Sequence, residues 1–281
     1  MKITFMDVGQ GDGVVIRIPG GKTVCIDGGS SYISGLAKYR IEPYLNYEGI
    51  KHIDYWIITH MDNDHYSGLK EVLERHRYNG ITVDNIVIAD TQICRDEFFA
   101  KFLGSANGIT GEITGEITDK MTDEIINEAT NILYMNNNHS LVSGDVIMRC
   151  LNPDTSYEYG NQNESSIVLE LSYGDFDALF TGDVEGEPER MLHIDRDKQY
   201  EVLKVAHHGS KNSTCEEFLN KFNCRNAVIS YGRDNRYGHP HAETTDALGK
   251  YGYNIYKTAE GGAVTVSVDE SGYVIEEYYQ Q

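Results

Sequence analysis

The sequence predicts an α/β protein in which strands and helices alternate along the chain. Apolar runs of strand length recur, for example at residues 53–58 and 202–206. The first of these runs is followed by apolar residues at helical spacing, Leu69, Val72 and Leu73. Several runs end in a polar residue of a type that binds metal ions. Because α/β proteins carry their chemistry in loops at strand ends, these loops are the candidate functional site.

The remaining elements follow the same alternation. In the first half, strands are predicted at residues 2–6, 14–18 and 23–26, with a helical stretch at 33–45. In the second half, strands are predicted at residues 146–150, 167–172, 178–180, 202–205, 255–257, 263–268 and 274–278. The 281 residues are expected to form one domain with an insertion at about 104–138, which contains a Gly-, Thr- and Glu-rich repeat. A lid over the site and a mobile acidic loop are both open interpretations of this insertion.

Composition limits the kind of partner. Asp and Glu outnumber Lys and Arg by 44 to 24, which gives a formal net charge of −20. Extended nucleic acid is therefore disfavoured, since its binding normally needs a basic surface; the charge is compatible with a small or short phosphoester, or with a substrate that is not nucleic acid. The sequence has no apolar run long enough to span a membrane and no segment resembling a signal peptide. No membrane partner is therefore expected. Five cysteines without paired spacing agree with a reducing, cytoplasmic location.

The loop at residues 59–68 is the clearest candidate metal site, because His60, Asp62, Asp64 and His65 lie within six residues. Neighbouring carboxylates raise each other's pKa unless a cation intervenes, and imidazole with carboxylate suits zinc, manganese or iron. The alternative is a solvated loop in which an aspartate caps the next helix. The ordered series of ligand types favours the metal site.

Later strand ends carry further residues of the same types. Asp183 follows the run at 178–180, His207 and His208 follow the run at 202–206, and His239 with His241 follows the strand near 226–230. Together with His60 and His65 after the run at 53–58, six of the ten histidines therefore lie at the ends of three strands. Asp27, before two glycines, either orients the metal loop by hydrogen bonding or serves the turn.

Five ordered motifs resemble the metallo-β-lactamase superfamily and, more narrowly, the hydrolase domain of ComEC-type competence proteins and their stand-alone soluble relatives. They are MDVGQGD at 6–12, IDGG at 26–29, HMDNDH at 60–65, FTGD at 180–183 and VAHHGS at 205–210. The resemblance implies a four-layer αββα sandwich, in which two mixed β-sheets pack face to face with helices outside.

The resemblance also implies a centre for two divalent metal ions, zinc or manganese. It assigns His60 and Asp62 to the first metal, Asp64 and His65 to the second, Asp183 as the bridge, and His207 to complete the second site. Asp62 stands where many members have His, and residues 160–166 lack the usual further His, so the first site is less complete. His139, after three asparagines, is interpreted as a loop residue rather than a replacement ligand.

These residues predict a metal-dependent hydrolase, a phosphodiesterase or nuclease-like enzyme that uses a metal-bound hydroxide. Asp64 is expected to hold or deprotonate the water, and His208 or His239 to assist the leaving oxygen. One alternative is hydrolysis of a carboxylic ester, lactone, thioester or β-lactam, or of a small phosphoester such as phosphorylcholine. The other is a non-catalytic metal-binding or regulatory protein.

Overall fold

The computed structural model describes residues 1–102 and 130–279, and its strands form two mixed sheets. The strands of the first sheet are β1 (Lys2–Phe5), β2 (Gly13–Arg17), β3 (Thr23–Asp27), β4 (His52–Ile58), β5 (Thr82–Ala89), β6 (Asn131–Met135), β14 (Val264–Asp269) and β15 (Gly272–Glu277). Their order across the sheet is β15–β14–β1–β2–β3–β4–β5–β6. From β3 to β6 neighbouring strands are parallel, and the other pairs are antiparallel.

The second sheet contains the strands that lie between β6 and β14 in the sequence. They are β7 (Ser140–Ser143), β8 (Val146–Asn152), β9 (Val168–Tyr173), β10 (Phe176–Phe180), β11 (Gln199–Lys204), β12 (Asn223–Ile229) and β13 (Asn254–Lys257). Their order is β13–β12–β11–β10–β9–β8–β7. Strands β10 to β13 run parallel to one another, so their carboxyl ends share one edge.

Short helices accompany both sheets. They are α1 (Glu42–Tyr47), α2 (Asn63–Glu74), α3 (His76–Asn79), α4 (Gln92–Phe102), α5 (Gly186–Met191), α6 (Glu216–Leu219), α7 (Ala242–Lys250) and α8 (Thr258–Gly261). Helix α2 packs on β3 and β4, and α4 packs on β5. Over the ranges 1–102 and 130–279, no helix has both the length and the apolar character that crossing a membrane requires.

Two layers of apolar side chains hold the sandwich together. Between the sheets, Phe5 of β1 stacks on Phe180 of β10 with ring centroids 6.0 Å apart. On the other face of the second sheet, Leu203 belongs to a buried cluster with Phe218 of α6 and Leu248 of α7. Both faces of the second sheet are therefore covered, as a central layer of a sandwich requires. The predicted αββα architecture is confirmed.

Every predicted strand is present, with ends shifted by up to a few residues. The predicted helical stretch at 33–45 becomes helical only from Ala37, where a π-helical turn (Ala37–Ile41) leads into α1. Most of the predicted insertion at 104–138 lies outside the described residues. Its last part contains β6, which pairs with β5 at the edge of the first sheet. Strands β5, β6 and β7 were not predicted; β6 and β7 are short and partly exposed, whereas β5 has eight residues and is largely buried.

Helix α2 lies unusually close to the turn that follows β3. A Cβ atom on Gly68 of α2 would lie 1.9 Å from the carbonyl oxygen of Gly28. The backbone N–H of Gly28 also donates to the carbonyl of His65 in the same helix, at 2.9 Å. Gly68 therefore lets the helix that carries Asp64 and His65 pack directly on this turn.

We predict that Gly68→Ala lowers the free energy of unfolding by about 1–3 kcal/mol, because the added methyl group overlaps backbone that has little room to move. The matched control is Gly249→Ala in α7, where a Cβ atom would meet nothing within 4 Å. That variant should be more stable by about 0.5–1 kcal/mol, since alanine restricts the unfolded chain. Urea denaturation measures both changes. Equal stabilities of Gly68→Ala and the parent protein would show that helix α2 does not need a glycine at position 68 to pack on this turn.

Candidate metal centre

The candidate site lies where strand ends of the two sheets meet. β4 leads into the loop with His60 and Asp62, β10 leads into Asp183, and β11 leads into His207 and His208. Backbone hydrogen bonds join these loops: Ile167 N donates to Thr59 O at 2.9 Å, and His207 N donates to Gly182 O at 3.1 Å. The carboxyl ends of parallel strands thus bring together residues that are far apart in sequence.

One oxygen atom, Oδ2 of Asp183, lies at the centre of the site. The Nε2 atoms of four histidines approach it, His65 at 3.3 Å, His208 at 3.6 Å, His207 at 3.8 Å and His60 at 3.9 Å. Asp183 is buried, as are three of these imidazoles; His207 is partly exposed. The structure therefore brings together residues from three of the predicted strand ends.

The donor atoms form groups that suit a divalent cation. Ligand atoms within 4.8 Å of one another come from His60, His65 and Asp183, and from Asp64, His65 and His208. Among the described residues, the buried Nε2 atoms of His60, His65 and His208 have no hydrogen-bond partner. Leaving such atoms unpaired is unfavourable, and nitrogen with carboxylate oxygen is a common ligand set for zinc and manganese. The residues present therefore fit a metal ion.

The two adjacent histidines after β11 point in different directions. His208 Nε2 lies 3.4 Å from Asp64 Oδ2, and His208 is buried. His207 Nδ1 instead lies 3.0 Å from Glu185 Oε2, and its side chain is 22% exposed. The structure thus places His208, and not the predicted His207, beside Asp64 and His65. Both residues have positive φ, 49° and 54°, a backbone reversal that the sequence does not reveal.

The ligand set predicted for the first metal is less complete than the set predicted for the second. Asp62 Oδ2 lies 3.5 Å from His60 Nε2, but the Asp62 side chain is 50% exposed. Residues 160–166 contact the site loops through Gln162, which accepts a hydrogen bond from Met61 N, but they contain no imidazole. His139 is exposed and accepts a hydrogen bond from Asn136 N, in agreement with its interpretation as a turn residue.

Asp27 forms hydrogen bonds with two residues of the loop at 59–68, Thr59 and His65. Its Oδ2 lies 2.9 Å from His65 Nδ1, and its Oδ1 accepts a hydrogen bond of 2.8 Å from Thr59 N. The Thr59 hydroxyl also donates to Asp27 Oδ2 at 2.8 Å. These bonds orient the His65 ring so that its Nε2 faces Asp183. The orienting role considered for Asp27 in the sequence agrees with this geometry.

Lys204 and Asp12 belong to the same site but were missed in the sequence. Both are buried, and the Lys204 ammonium forms an ion pair with Asp12. The ammonium also donates to Gly182 O at 2.9 Å and lies 3.8 Å from Asp183 Oδ1. Asp183 therefore faces Lys204 with one oxygen and the histidines with the other. The available signal was a lysine inside an apolar run, since a buried charge requires a partner.

The charges in the site balance through these contacts. Burial acts to lower the pKa of His208, but Asp183 and Asp12 outweigh it and raise this pKa to about 10. Burial acts to raise the pKa of Asp183, yet the charges of His65 and His208 hold it well below its usual range. Protons on the imidazoles thus neutralise the buried carboxylates in the metal-free protein. A divalent cation would take over this role, because metal binding displaces protons from histidine.

His239 lies on the outer side of the centre. Its ring centroid is 5.6 Å from that of His207 and 6.0 Å from that of His208. Its Nδ1 is buried and has no hydrogen-bond partner within the described residues. Partial burial and the positive charges of His208 and His207 lower the pKa of His239 to about 4. His239 is therefore neutral near pH 7 in the metal-free protein.

Comparison with known proteins agrees with this geometry. The family model described as "Metallo-beta-lactamase superfamily" matches residues 6–100. The chain is 28% identical over 277 residues to "ComE operon protein 3" of Bacillus subtilis (strain 168). That alignment covers 94% of this chain and 32% of the relative. The chain thus spans about a third of the length of this relative.

Solved structures share the fold. The metallo-β-lactamase fold protein YhfI from Bacillus subtilis has a TM-score of 0.58 at 11% identity, over 94% of this chain and 99% of that chain. A diphosphatase from the PhnP family has a TM-score of 0.51 at 14% identity, over 94% and 97%. The resemblance to the metallo-β-lactamase superfamily seen in the motifs is confirmed by the family model and by the relative "ComE operon protein 3".

We predict that Asp27→Asn weakens zinc and manganese binding by about 10–100-fold, because the His65 ring loses the carboxylate that orients it. Isothermal titration calorimetry measures the affinity directly. The matched control is Asp54→Asn in β4, since Asp54 also accepts a backbone hydrogen bond, from Thr23 N at 2.9 Å. An unchanged affinity of Asp27→Asn, or an equal loss in both variants, would contradict the orienting role.

Proposed function

We propose that this protein is a metal-dependent phosphodiesterase that acts on small or short phosphoesters. The observation that carries the proposal is the convergence of four histidine Nε2 atoms on Asp183 Oδ2, within 3.3–3.9 Å. Three of these nitrogens are buried without a hydrogen-bond partner among the described residues. A hydrolase centre built on divalent cations, zinc or manganese, accounts for such an arrangement.

The proposed ligands fall into two sets that share Asp183. Asp64, His65 and His208 form the better-defined set, because their ligand atoms lie within 4.8 Å of one another. His60 and Asp62 form the other set, in which Asp62 is partly exposed. His208 is thus proposed as a ligand in place of His207, and His207 as a residue at the rim of the site, held by Glu185.

The side chains divide the chemical work. Divalent ions bound here would lower the pKa of a water and stabilise charge on the phosphoryl oxygens. Asp64 would hold that water as an ionised carboxylate. Burial acts to raise the pKa of Asp64, but the positive charges of His208 and His65 lower it well below the usual range. Neutral His239, at the outer side, is proposed to hydrogen-bond the leaving oxygen.

Two observations favour phosphoester substrates over carboxylic esters: the many carboxylate oxygens in the site, and a diphosphatase that has the same fold. Asp12, Asp62, Asp64 and Asp183 make the site rich in oxygen, which suits ions that bind phosphoryl groups. A diphosphatase is among the proteins of the same fold. The net charge of −20 favours a short substrate over extended nucleic acid. A cytoplasmic location stays a prediction from the sequence.

We predict that the zinc- or manganese-loaded protein hydrolyses bis-p-nitrophenyl phosphate in preference to nitrocefin and a lactone. Asp183→Asn should lower kcat at least about 100-fold and reduce the bound metal measured by elemental analysis, because it removes a shared carboxylate. The matched control is Asp175→Asn, in the exposed turn before the same strand β10, which should change neither quantity.

Three outcomes would count against the proposal in different ways. Activity on nitrocefin or the lactone alone would assign the protein to carboxyl hydrolysis. Less than one metal ion per chain, together with no hydrolysis after zinc or manganese is added, would favour a binding or regulatory protein. Loss of activity in Asp175→Asn would show that the effect of Asp183→Asn is not specific to the site.

A further inference from the structure

An exposed group of aromatic and basic side chains lies beside the metal centre, formed by Tyr32, Arg236, Tyr237 and His239; we refer to it as the outer aromatic cluster. Tyr32 comes from the loop after β3, and the other three come from the loop after β12. The two loops are joined by a hydrogen bond of 3.2 Å from Arg236 N to the Tyr32 hydroxyl. The cluster therefore connects the two sheets at the mouth of the site.

The Arg236 guanidinium is arranged between the two tyrosines. Its Cζ lies 5.9 Å from the Tyr32 ring centroid and 5.2 Å from that of Tyr237. Its Nη2 also donates to the Tyr237 hydroxyl at 3.1 Å. Within residues 1–102 and 130–279, no carboxylate lies within ion-pair distance of Arg236. In a chain of net charge −20, this guanidinium is left available to a ligand.

The cluster leads directly to the metal centre. The Tyr237 ring stacks on the His239 ring, with centroids 5.6 Å apart and an interplanar angle of 20°. The His239 ring in turn lies 6.0 Å from His208, whose Nε2 is 3.6 Å from Asp183 Oδ2. A group held on this row of rings is thus adjacent to the candidate reaction centre.

The loop that carries the cluster is held in a defined conformation. Asn235 Oδ1 accepts hydrogen bonds from Tyr237 N at 3.2 Å and from His239 N at 2.9 Å. Asn235 Nδ2 donates to Gly232 O at 2.9 Å and to His239 O at 2.7 Å. The side chains of Tyr32 and Tyr237 remain 45% and 43% exposed. Pre-organised yet exposed aromatic groups cost little entropy when a ligand binds them.

We propose that the outer aromatic cluster is a subsite for a nucleobase carried on the phosphoester substrate, an inference that rests on the proposed phosphodiesterase function. Tyrosine rings and an arginine plane are the surfaces on which bases stack in single-stranded nucleic acid complexes. The guanidinium also suits a neighbouring phosphate. It disfavours a cationic substrate group such as choline, which like charge would repel.

Such a subsite would let a protein with a net charge of −20 bind a nucleotide substrate. Base stacking is largely independent of a long basic surface, whereas tracking a phosphate backbone needs several cationic side chains. One base held on the cluster would present the adjoining phosphate to Asp183 and its neighbours. The expected ligand is therefore the end of a short or single-stranded oligonucleotide, or a single nucleotide ester.

The kinetic test compares thymidine 5′-p-nitrophenyl phosphate with methyl p-nitrophenyl phosphate, which have the same leaving group and differ in the nucleoside. The protein should show a KM about 5- to 100-fold lower for the thymidine ester, the range expected for stacking one base. Tyr237→Leu should lose most of this ratio, whereas Tyr237→Phe should keep most of it because the ring remains. The control Tyr78→Leu, at an 86% exposed tyrosine of α3, should leave the ratio unchanged.

A binding test separates this inference from the phosphodiesterase proposal. Fluorescence anisotropy without added metal compares a four-nucleotide oligothymidylate with an abasic oligomer of equal length and charge. Tighter binding of the base-containing oligomer, lost in Tyr237→Leu, supports the subsite even if neither p-nitrophenyl ester is hydrolysed, in which case only the phosphodiesterase proposal fails. Equal KM values for the two esters and equal binding of the two oligomers would overturn the subsite while leaving the hydrolase intact.

Discussion

Burial of carboxylates at the junction of the two sheets is the constraint on which the site depends. Asp12, Asp27 and Asp183 are all buried, and a buried anion is stable only with an opposing charge or several hydrogen bonds. Lys204 neutralises Asp12, while Thr59 and His65 satisfy Asp27. Asp183 has no comparable single partner, and its Oδ2 instead faces imidazoles that are themselves unpaired. The folded protein thus presents a buried cluster of unpaired polar groups that a cation would complete.

The same junction makes the fold and the site depend on each other. The loop after β4 belongs to the first sheet, yet Thr59 O accepts a hydrogen bond from Ile167 N beside the second. Helix α2 packs on the turn after β3 only because position 68 lacks a side chain. A shift of either sheet would therefore separate His65 from Asp183. Metal binding to such a site stabilises the folded state, since the unfolded chain does not bring these ligands together.

The sequence predicted the elements and residues whose signal is local. The resemblance of the motifs implied the αββα sandwich, and the residue types after apolar runs indicated the run from His60 to His65 and Asp183 at a strand end. The approach of His208, rather than His207, to Asp64 could not be inferred, because it depends on consecutive residues with positive φ. The pairing of Lys204 with Asp12 and the meeting of Tyr32 with Arg236 also required the folded structure, since their partners lie in distant segments.

The central claim is that Asp183 and the imidazoles around it bind a divalent cation. An anomalous difference map from crystals grown with zinc or manganese, with data collected on either side of the metal's absorption edge, tests it most directly. We expect a peak beside Asp183 Oδ2 that is bounded by Asp64, His65 and His208. Absence of anomalous density there, with the ion bound elsewhere on the chain, would show that these residues do not form the metal site.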